Sequence, residues 1–312
     1  MSQMNTSQAR AVDPILTAVA RGYRSQKAVV ADVLFPIVPV LSRAGKIISF
    51  GPDDFKLVVT IRAPGASTKR VQFGYGKDDY ALVDHRLEAL VPAEIQEEGL
   101  AVPGIDNITI GINKVQNVMA LERENQAATL ARDASKYAAS NKEVLTGAAR
   151  WDDPASNPFQ DILDAKEAVR GQIGERPNVL TLGPKPLTAL RTHPKVLERL
   201  STATDRPPAT LAQLQLLFEL ERVVEGAAVY HDGTKFLDVW GTDAILAFTQ
   251  PASMQEMGSP NYGYTYQLTG RPVVEDGYED RNANSMVYPV ADARKAVLAG
   301  ASAGFLFKTA VS

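Results

Sequence analysis

The chain has 312 residues, a hydrophobic fraction of 45%, a charged fraction of 22% and a formal net charge of -3. These values are typical of an ordinary soluble protein with room for one large or two modest domains, and they exclude a dedicated polyanion groove. Because the sequence contains no cysteine, disulfides, thiolate nucleophiles and cysteine metal sites are excluded together.

The N-terminal segment, residues 1–44, has no basic region followed by an apolar core, so no secretory signal is expected. Its most apolar run, residues 28–41, is interrupted by an aspartate and two prolines and is too short to span a membrane. A short helix is predicted over residues 14–24. Because prolines exclude a central strand, the strip 33–40 is interpreted as an arm lying on a surface, or alternatively as a segment docked on its own domain.

Residues 45–84 are predicted to form one long β-hairpin. Its tip, residues 61–71, contains Pro64 and Gly65, which favour a turn, and a run of small and basic residues with apolar residues on either side. A two-stranded ribbon alone is marginally stable in water. We therefore expect another surface to cover this ribbon, which makes the chain one subunit of an assembly.

A long helix is predicted to begin at Asp106 or Asn107, whose side chains can accept hydrogen bonds from the first N–H groups, and to run to about Ser140. Apolar residues recur along it near a 3.6-residue period, although Glu122 and Arg123 interrupt the stripe. About thirty residues would form a rod of roughly 45 Å. We interpret it as a backbone for other elements, with a plain core helix as the alternative.

Strands and helices alternate in the second half of the chain, which is typical of an α/β subdomain. A turn-rich loop over 146–158 leads into this half. The predicted helices are 158–173, 186–192, 194–200 and 210–221, and the predicted strands are 178–182, 244–248, 261–268 and 303–310. A hairpin is predicted over 228–240, because Asp232-Gly233 is a strong two-residue turn signal.

One string matches a catalytic motif. Gly300-Ala-Ser-Ala-Gly304 has the Gly-x-Ser-x-Gly spacing of a nucleophile elbow. Such an elbow follows a strand, opens a helix and needs an acid and a histidine downstream, whereas the remaining residues 305–312 contain neither. The string is therefore interpreted as a small-residue turn between two strands.

The three histidines, His85, His193 and His231, lie in separate predicted elements and in no metal-binding spacing. His193 is interpreted as a helix-entry residue and His231 as a turn residue. Acidic clusters occur at residues 94–98, 152–153 and 276–280. The last has oxygen ligands of the kind that bind a hard cation, although solvated loops produce such clusters constantly.

No phosphate-binding loop and no dinucleotide fingerprint is present, so nucleotide binding is not expected. The basic residues Arg62, Lys69 and Arg70 lie at the hairpin tip with little aromatic interleaving, which argues against a specific nucleic-acid surface. They are interpreted as charge partners for the acidic rim of a neighbour.

Several strings then carry a resemblance that extends over nearly the whole chain. They are Ala31-Asp-Val-Leu-Phe-Pro36, Gly45-Lys-Ile-Ile-Ser-Phe50, Arg62-Ala-Pro-Gly-Ala66, Trp151-Asp-Asp-Pro-Ala-Ser-Asn-Pro158, Pro177-Asn-Val-Leu-Thr-Leu-Gly183, Leu190-Arg-Thr-His-Pro-Lys195 and Val239-Trp-Gly-Thr-Asp-Ala244. In their order and spacing they resemble the major capsid proteins of tailed bacteriophages, which have the Hong Kong 97 fold.

The resemblance implies an α+β chain with an N-terminal arm, an extended loop, a spine helix, a peripheral domain and an axial domain. The expected boundaries are 1–44 for the arm, 45–86 for the extended loop, 87–175 with 262–298 for the peripheral domain including the spine helix at about 107–140, and 176–261 with 299–312 for the axial domain. It also implies that the hairpin lies across an adjacent subunit. The residues expected to make inter-subunit contacts are Phe35, Arg62, Pro64, Lys69, Arg70 and Phe73.

The function that the resemblance implies is structural: self-assembly into hexamers and pentamers of an icosahedral shell around double-stranded phage DNA, which is held non-specifically. The protein is expected in the virion, after assembly in the host bacterial cytoplasm. No catalytic residue, cofactor, metal or membrane partner is expected. A portal is an expected partner, and a decoration protein is left open.

Two departures from parts of the family lead to further expectations. Some members have a scaffold-like segment of about a hundred residues before the arm, whereas here the arm begins almost at Met1, so a separate scaffolding protein is expected. Some relatives cross-link a lysine to an asparagine. Lys69, Lys77, Asn282 and Asn284 have the right types, but no acid catalyst can be placed beside them, so no cross-linking is predicted.

Two alternatives stay open at this point. An encapsulin-like shell protein of a cellular compartment shares the fold, and genes for a portal and terminase or for a cargo enzyme would separate the two. A hydrolase with an unrecognised serine or carboxylate site is the other, and substitution of Ser302 or Asp280 would test it.

Overall fold

The computed structural model describes residues 13–22, 29–46, 61, 79–101, 106–200, 207–250 and 260–312. Helices α1 to α8 are Pro14–Gly22, Val29–Leu34, Ala93–Ala101, Asn107–Ala131, Pro158–Ile173, Pro184–Thr192, Pro194–Leu200 and Leu211–Phe218. Strands β1 to β15 are Ile37–Val40, Ala44–Lys46, Asp79–Ala81, Val83–Pro92, Lys142–Val144, Val179–Leu182, Arg222–Glu225, Val229–His231, Phe236–Asp238, Ala244–Ala247, Gly263–Leu268, Val273–Val274, Tyr278–Asp280, Ser285–Leu298 and Gly304–Lys308.

The first of two larger sheets has six strands and is built around β14, which is 14 residues long. β14 pairs antiparallel with all of β4, from Ser285 opposite Pro92 to Arg294 opposite Val83. Its other edge pairs with β11, β12 and β13, and β1 adds to β11 in parallel. This sheet therefore ties the N-terminal segment to the strand that follows the hairpin.

The second sheet has five strands in the order β5-β15-β10-β6-β7. Every residue of β6 and β10 is buried, as are four of the five in β15. Strands that are covered on both faces are expected to be continuous apolar runs, which is why these three strands were predictable. Their side chains lie in the largest apolar cluster of the described residues, together with Trp151, Ile162 and Phe218.

The expected domain boundaries stay a prediction, but the packing of one segment bears on where the boundary near residue 175 should be placed. Residues up to 175 were expected in the peripheral domain, but β5 pairs with β15, and α5 packs against β10 and β15. The reason is the apolar stripe of α5, since Ile162, Ala165 and Val169 are buried in the same cluster as Leu246 and Phe307. The prediction of a helix over 158–173 is itself confirmed.

The long helix α4 begins as predicted and ends early. Asp106 caps it, with Oδ1 accepting hydrogen bonds from the N–H groups of Ile108 and Thr109 at 3.1 and 3.2 Å. The helix ends at Ala131 rather than near Ser140. Asp133 stops it because its carboxylate accepts the Ser135 N–H at 2.9 Å and opens a short 3-10 turn instead.

The N-terminal segment docks on its own chain, so the interpretation of residues 33–40 as an arm lying on a surface is wrong for this stretch. Leu34, Phe35 and Val38 are all 0% exposed. Residues 37–40 form β1 at the edge of the six-stranded sheet, the position that prolines allow. The Phe35 ring packs on Tyr262 with centroids 5.5 Å apart, because Gly263 beneath it has no side chain.

The two predicted turns are confirmed. Asp232 Oδ1 accepts the N–H groups of Thr234 and Lys235 at 2.8 and 2.9 Å, which closes the hairpin of β8 and β9. Residues 301–303 form a 3-10 turn that connects β14 to β15. A strand and not a helix follows this turn, so the Gly-x-Ser-x-Gly string does not form a nucleophile elbow.

Candidate assembly surfaces

The six-stranded sheet has one face against α4 and one face directed away from it. In an antiparallel pair, opposite residues place their side chains on the same side. Ala89 opposite Tyr288 and Leu87 opposite Val290 lie on the α4 side, where Ile112 and Met119 complete an apolar cluster. The alternate residues, which include Glu88, Leu90, Val287 and Tyr278, lie on the other side, which we call the outer face.

One end of the outer face is covered by the base of the predicted hairpin. β2 and β3 pair antiparallel, with Ala44 opposite Ala81, so the base of the hairpin is confirmed. Tyr80 stacks on Tyr266 with centroids 4.3 Å apart and lies so close to Gly45 that a Cβ there would come within 2.8 Å of its ring. Burial raises the pKa of Tyr266 to about 12. The root of the hairpin is therefore held firmly on its own sheet.

None of the described residues covers the other end of the outer face, which we call the bare end. It comprises Glu88 and Leu90 on β4, Val287 on β14, and Tyr278 and Asp280 on β13. Leu90 and Tyr278 both flank Val287 and are 53% and 48% exposed. Neither belongs to any of the three apolar clusters of the described residues. Exposed apolar side chains grouped on a sheet face mark an interaction surface.

The bare end is acidic. Glu88 accepts a hydrogen bond from the Tyr278 hydroxyl at 3.3 Å, and Asp280 Oδ1 accepts the Asn282 N–H at 3.0 Å. At its margin Glu94 accepts the Asn284 amide at 3.0 Å. Within the part of the chain that the structure describes, none of these three carboxylates has a cationic partner, whereas the nearby Glu275 pairs with Arg86 at 2.7 Å.

A cluster of buried charges joins the end of α4 to the five-stranded sheet. Asp243, whose side chain is 1% exposed, accepts hydrogen bonds from Arg132 Nε at 2.6 Å, Lys308 Nζ at 2.8 Å and the Thr309 N–H at 2.9 Å. Burial opposes ionisation of Asp243, but the hydrogen bonds from Lys308, Thr309 and Arg132 outweigh it and hold its pKa below the ordinary value. The geometry fixes α4 relative to β10 and β15.

A second buried carboxylate joins α4 to the N-terminal segment. Glu124 is 0% exposed and accepts the Trp240 indole N–H at 2.7 Å on one oxygen and the Ala31 N–H at 2.9 Å on the other. Burial raises the pKa of Glu124, and these two hydrogen bonds only partly offset the rise. The strings around Ala31 and Trp240, which carry the resemblance, therefore meet at one residue of α4.

No catalytic arrangement is found among the described residues. Ser156 is hydrogen-bonded to a histidine: its Oγ lies 3.1 Å from His193 Nε2, and both residues are buried. His193 Nδ1 accepts the Lys195 N–H at 3.3 Å, so the neutral ring carries its proton on Nε2 and cannot take one from the serine. Burial also lowers the pKa of His193. This histidine links the loop before α5 to the start of α7, which confirms its interpretation as a helix-entry residue.

The remaining motif residues are dispersed. His231 ends β8 beside the predicted turn, and His85 lies on β4 with its Nδ1 3.2 Å from Glu122. No group of three or more potential metal-ligating side chains occurs in the ranges that the structure describes. In those ranges no helix is both long and apolar enough to cross a membrane.

Most residues predicted to contact neighbouring subunits lie outside the described residues: Arg62, Pro64, Lys69, Arg70 and Phe73. The sixth, Phe35, was wrongly assigned, because its side chain is fully buried in its own chain and offers no surface to a neighbour. Sequence reasoning also missed an exposed surface on the small hairpin, where Phe236 is 74% exposed. The sequence indicated this surface only weakly, through a single bulky residue next to a turn.

The residues considered for cross-linking are partly described. Lys69 and Lys77 lie outside the described ranges, whereas Asn282 and Asn284 form the turn between β13 and β14. The structure places the Glu94 carboxylate against Asn284. This proximity could not be placed from the sequence, and the absence of cross-linking stays a prediction.

Comparisons with known proteins identify the family. A family model described as phage major capsid protein E matches residues 134–282. The major capsid protein of Burkholderia phage BcepMu is 32% identical over 305 residues, which cover 96% of this chain and 97% of that protein. A solved phage-related protein from Bordetella bronchiseptica RB50 is 43% identical, with a TM-score of 0.84 over 97% of this chain and 98% of that chain.

The same fold occurs in an assembled shell. A chain in the asymmetric unit of the mature capsid of bacteriophage PhiM1 has a TM-score of 0.52 at 14% identity, over 92% of this chain and 87% of that chain. The architecture is thus a Hong Kong 97-like capsid fold, and an encapsulin-like identity is not favoured because the relatives in sequence are phage proteins. The chain therefore belongs to the phage major capsid proteins and is a structural protein of the phage shell.

Proposed function

We propose that copies of this chain form the hexamers and pentamers of an icosahedral head that holds double-stranded DNA non-specifically, and that the chain catalyses no reaction. The observation that carries the proposal is the outer face of the six-stranded sheet. At one end Tyr80 and Tyr266 anchor the paired strands β2 and β3, and at the other end the described residues leave Leu90 and Tyr278 uncovered. A subunit that lends a ribbon and offers a bare surface is suited to closed assembly.

The proposal divides the chain as the resemblance implies, with one change. We assign 87–141 with 262–298 to the peripheral domain and 142–261 with 299–312 to the axial domain, because β5 and α5 pack with the five-stranded sheet. The extended loop is assigned to 45–86, and its tip, with Arg62, Pro64, Lys69, Arg70 and Phe73, is assigned to inter-subunit contacts.

Electron microscopy of the expressed protein tests the assembly. We expect closed, regular shells when the chain is produced with a separate scaffolding protein and portal in the bacterial cytoplasm, and irregular particles without the scaffold. Correctly sized empty shells from the chain alone would contradict the need for a separate scaffold. Failure to form any shell with the helper proteins would contradict the proposed function itself.

The contents of purified particles separate the remaining alternatives. Double-stranded DNA inside mature particles supports the phage head, and a packaged enzyme would support the encapsulin-like reading. For the hydrolase alternative, Ser302→Ala and Asp280→Asn are compared with the wild type on generic ester and peptide substrates. We expect no turnover from any of the three proteins, and turnover that Ser302→Ala abolishes would overturn the non-enzymatic assignment.

A further inference from the structure

The N-terminal segment contacts both of the larger sheets, and we call its described parts, residues 13–22 and 29–40, the strap. On α1, Thr17 Oγ1 accepts the Val274 N–H of the six-stranded sheet at 3.0 Å. Farther along, α2 places Leu34 in the apolar cluster of the five-stranded sheet. The strap then returns to the six-stranded sheet as β1. It therefore restrains how the two sheets lie relative to each other.

Glu124 on α4 fastens the strap beside the five-stranded sheet. Its fully buried carboxylate accepts the Ala31 N–H of α2 at 2.9 Å and the Trp240 indole N–H at 2.7 Å, and both donors are neutral. The charged groups that act on it are Arg123 on α4 and Asp32 on α2. These two pair with each other at 2.8 Å, and Trp240 brings only its neutral indole. One carboxylate thus holds three parts of the chain together.

A negative charge at Glu124 is costly in the closed strap. A buried carboxylate loses the water that solvates its charge, and hydrogen bonds from neutral groups replace only part of that solvation. If α2 moved away, Glu124 would return to water, where a carboxylate is ionised at neutral pH. Burial raises the pKa of Glu124, so the closed strap holds a proton that the open strap releases.

We propose that the strap is a pH-sensitive latch, closed while Glu124 is protonated and released from α4 and the five-stranded sheet as the pH rises. The open fraction is constant below pH 4.5, the ordinary pKa of this group, and increases from there up to the raised pKa of the closed state. Release removes one restraint between the two sheets and lets their relative orientation change. The latch is a property of the single subunit and does not depend on the proposed function.

Thiol labelling of engineered cysteines tests the latch in the free subunit, because the natural chain has no cysteine. Val30→Cys places a buried thiol on α2, and Val169→Cys is its matched control on α5 in the same apolar cluster. Leu41→Cys, at an 82% exposed position, gives the rate of an unprotected thiol at each pH. After division by that rate, labelling of Val30→Cys should rise about tenfold or more from about pH 5 to about pH 8, and should exceed that of Val169→Cys.

Removing the titrating group separates the latch from other effects of pH. Glu124→Gln, combined with Val30→Cys, cannot ionise, so the corrected labelling rate should no longer depend on pH. Glu198→Gln, at an exposed position of α7, should keep the pH dependence of the parent variant. A pH dependence that survives Glu124→Gln would assign the effect to another group and overturn the proposal.

Hydrogen exchange of the wild-type subunit gives a second measurement that needs no substitution. After correction for the intrinsic exchange rate, the amides of α2 should lose protection as the pH rises, and those of α5 should lose less. Constant protection of α2, or equal labelling of Val30→Cys and Val169→Cys at every pH, would contradict a local release of the strap. None of these measurements involves shells, so their failure would leave the proposed function standing.

Discussion

The two larger sheets of this chain differ in what they leave exposed. The five-stranded sheet is covered on both faces, and every residue of β6 and β10 is buried. The six-stranded sheet is covered on its α4 side, whereas β4 exposes residues such as Leu90 on its outer face. The first sheet satisfies its apolar surface within one subunit, whereas we propose that a neighbour covers the second in the assembly. Substitutions should therefore affect folding in one sheet and assembly in the other.

The largest expected effect is in the buried charges that join α4 to the five-stranded sheet. Asp243→Ala leaves Arg132 and Lys308 without their shared partner and should lower the free energy of unfolding by about 3 kcal/mol, the low end for a broken buried pair, because both cations are partly exposed. Urea unfolding of the free subunit measures it. Asp238→Ala on β9, a carboxylate outside this charge cluster, is the matched control.

The same carboxylate gives a pH dependence. Hydrogen bonds from Lys308, Thr309 and Arg132 outweigh burial and hold the pKa of Asp243 below its ordinary value of 3.8. Its contribution to stability is therefore fully present above pH 3.8 and is lost as the pH falls through the lower pKa of the folded state. The difference in stability between wild type and Asp243→Ala should shrink on acidification. A difference that grows below pH 3.8 would contradict the assignment.

The next effect concerns the link between α4 and the N-terminal segment. Glu124→Gln keeps one acceptor oxygen but turns an N–H donor toward either Trp240 or the Ala31 N–H, which should cost about 1–3 kcal/mol for a buried unsatisfied group. Urea unfolding measures the loss, and Glu198→Gln at an exposed position of α7 is its control. If Glu124→Gln left the free energy of unfolding unchanged, the link between α4 and the N-terminal segment would not be formed.

Burial also gives Glu124 a pH dependence of the opposite sign. Because burial raises its pKa above the ordinary value of 4.5, the folded state favours the protonated form. The stability that this group contributes is present below pH 4.5 and is lost as the pH rises through the raised pKa of the folded state. The stability cost of Glu124→Gln, relative to wild type, should therefore be smaller at neutral pH than at pH 4.5.

A smaller, local effect is expected at the hairpin root. Tyr80→Ala removes the stack on Tyr266 and should cost about 1–2 kcal/mol. Amide hydrogen exchange of residues 44–46 and 79–81 should show the loss, while the five-stranded sheet keeps its protection. Tyr80→Phe preserves the ring and should behave as wild type. Equal loss of protection in both sheets would contradict the local role.

The smallest effect on folding is expected at the bare end. Leu90→Ser with Tyr278→Ser should change the free energy of unfolding by less than about 0.5 kcal/mol, because both side chains are half exposed. The same variant should lower the yield of shells, measured by sedimentation of the assembled protein. Leu216→Ser is the control at another exposed leucine. A variant that assembles as well as wild type would show that the bare end is not an interface.

Three strands of the five-stranded sheet could be predicted from the sequence, because β6, β10 and β15 are apolar runs with turns between them. β14 was not predicted. Pro289 in its middle removes a ladder donor, and Asp292 and Arg294 are unusual in a buried strand. They are tolerated because the two charges pair at 2.8 Å.

The surfaces depend on information that local patterns do not contain. Whether Leu90 faces α4 or the outer face follows from its register opposite Val287, which lies almost two hundred residues away along the chain. The early end of α4 could have been predicted, because Asp133-Ala-Ser135 favours a local turn. Phe35 was assigned to the surface because its burial depends on Tyr262.

Electron cryo-microscopy of assembled shells, at a resolution that shows side chains, tests the central claim most directly. We expect an adjacent subunit to cover Leu90 and Tyr278 in the closed shell. An outer face that stays open to solvent in the closed shell, or that is covered by the hairpin of its own chain, would contradict the account.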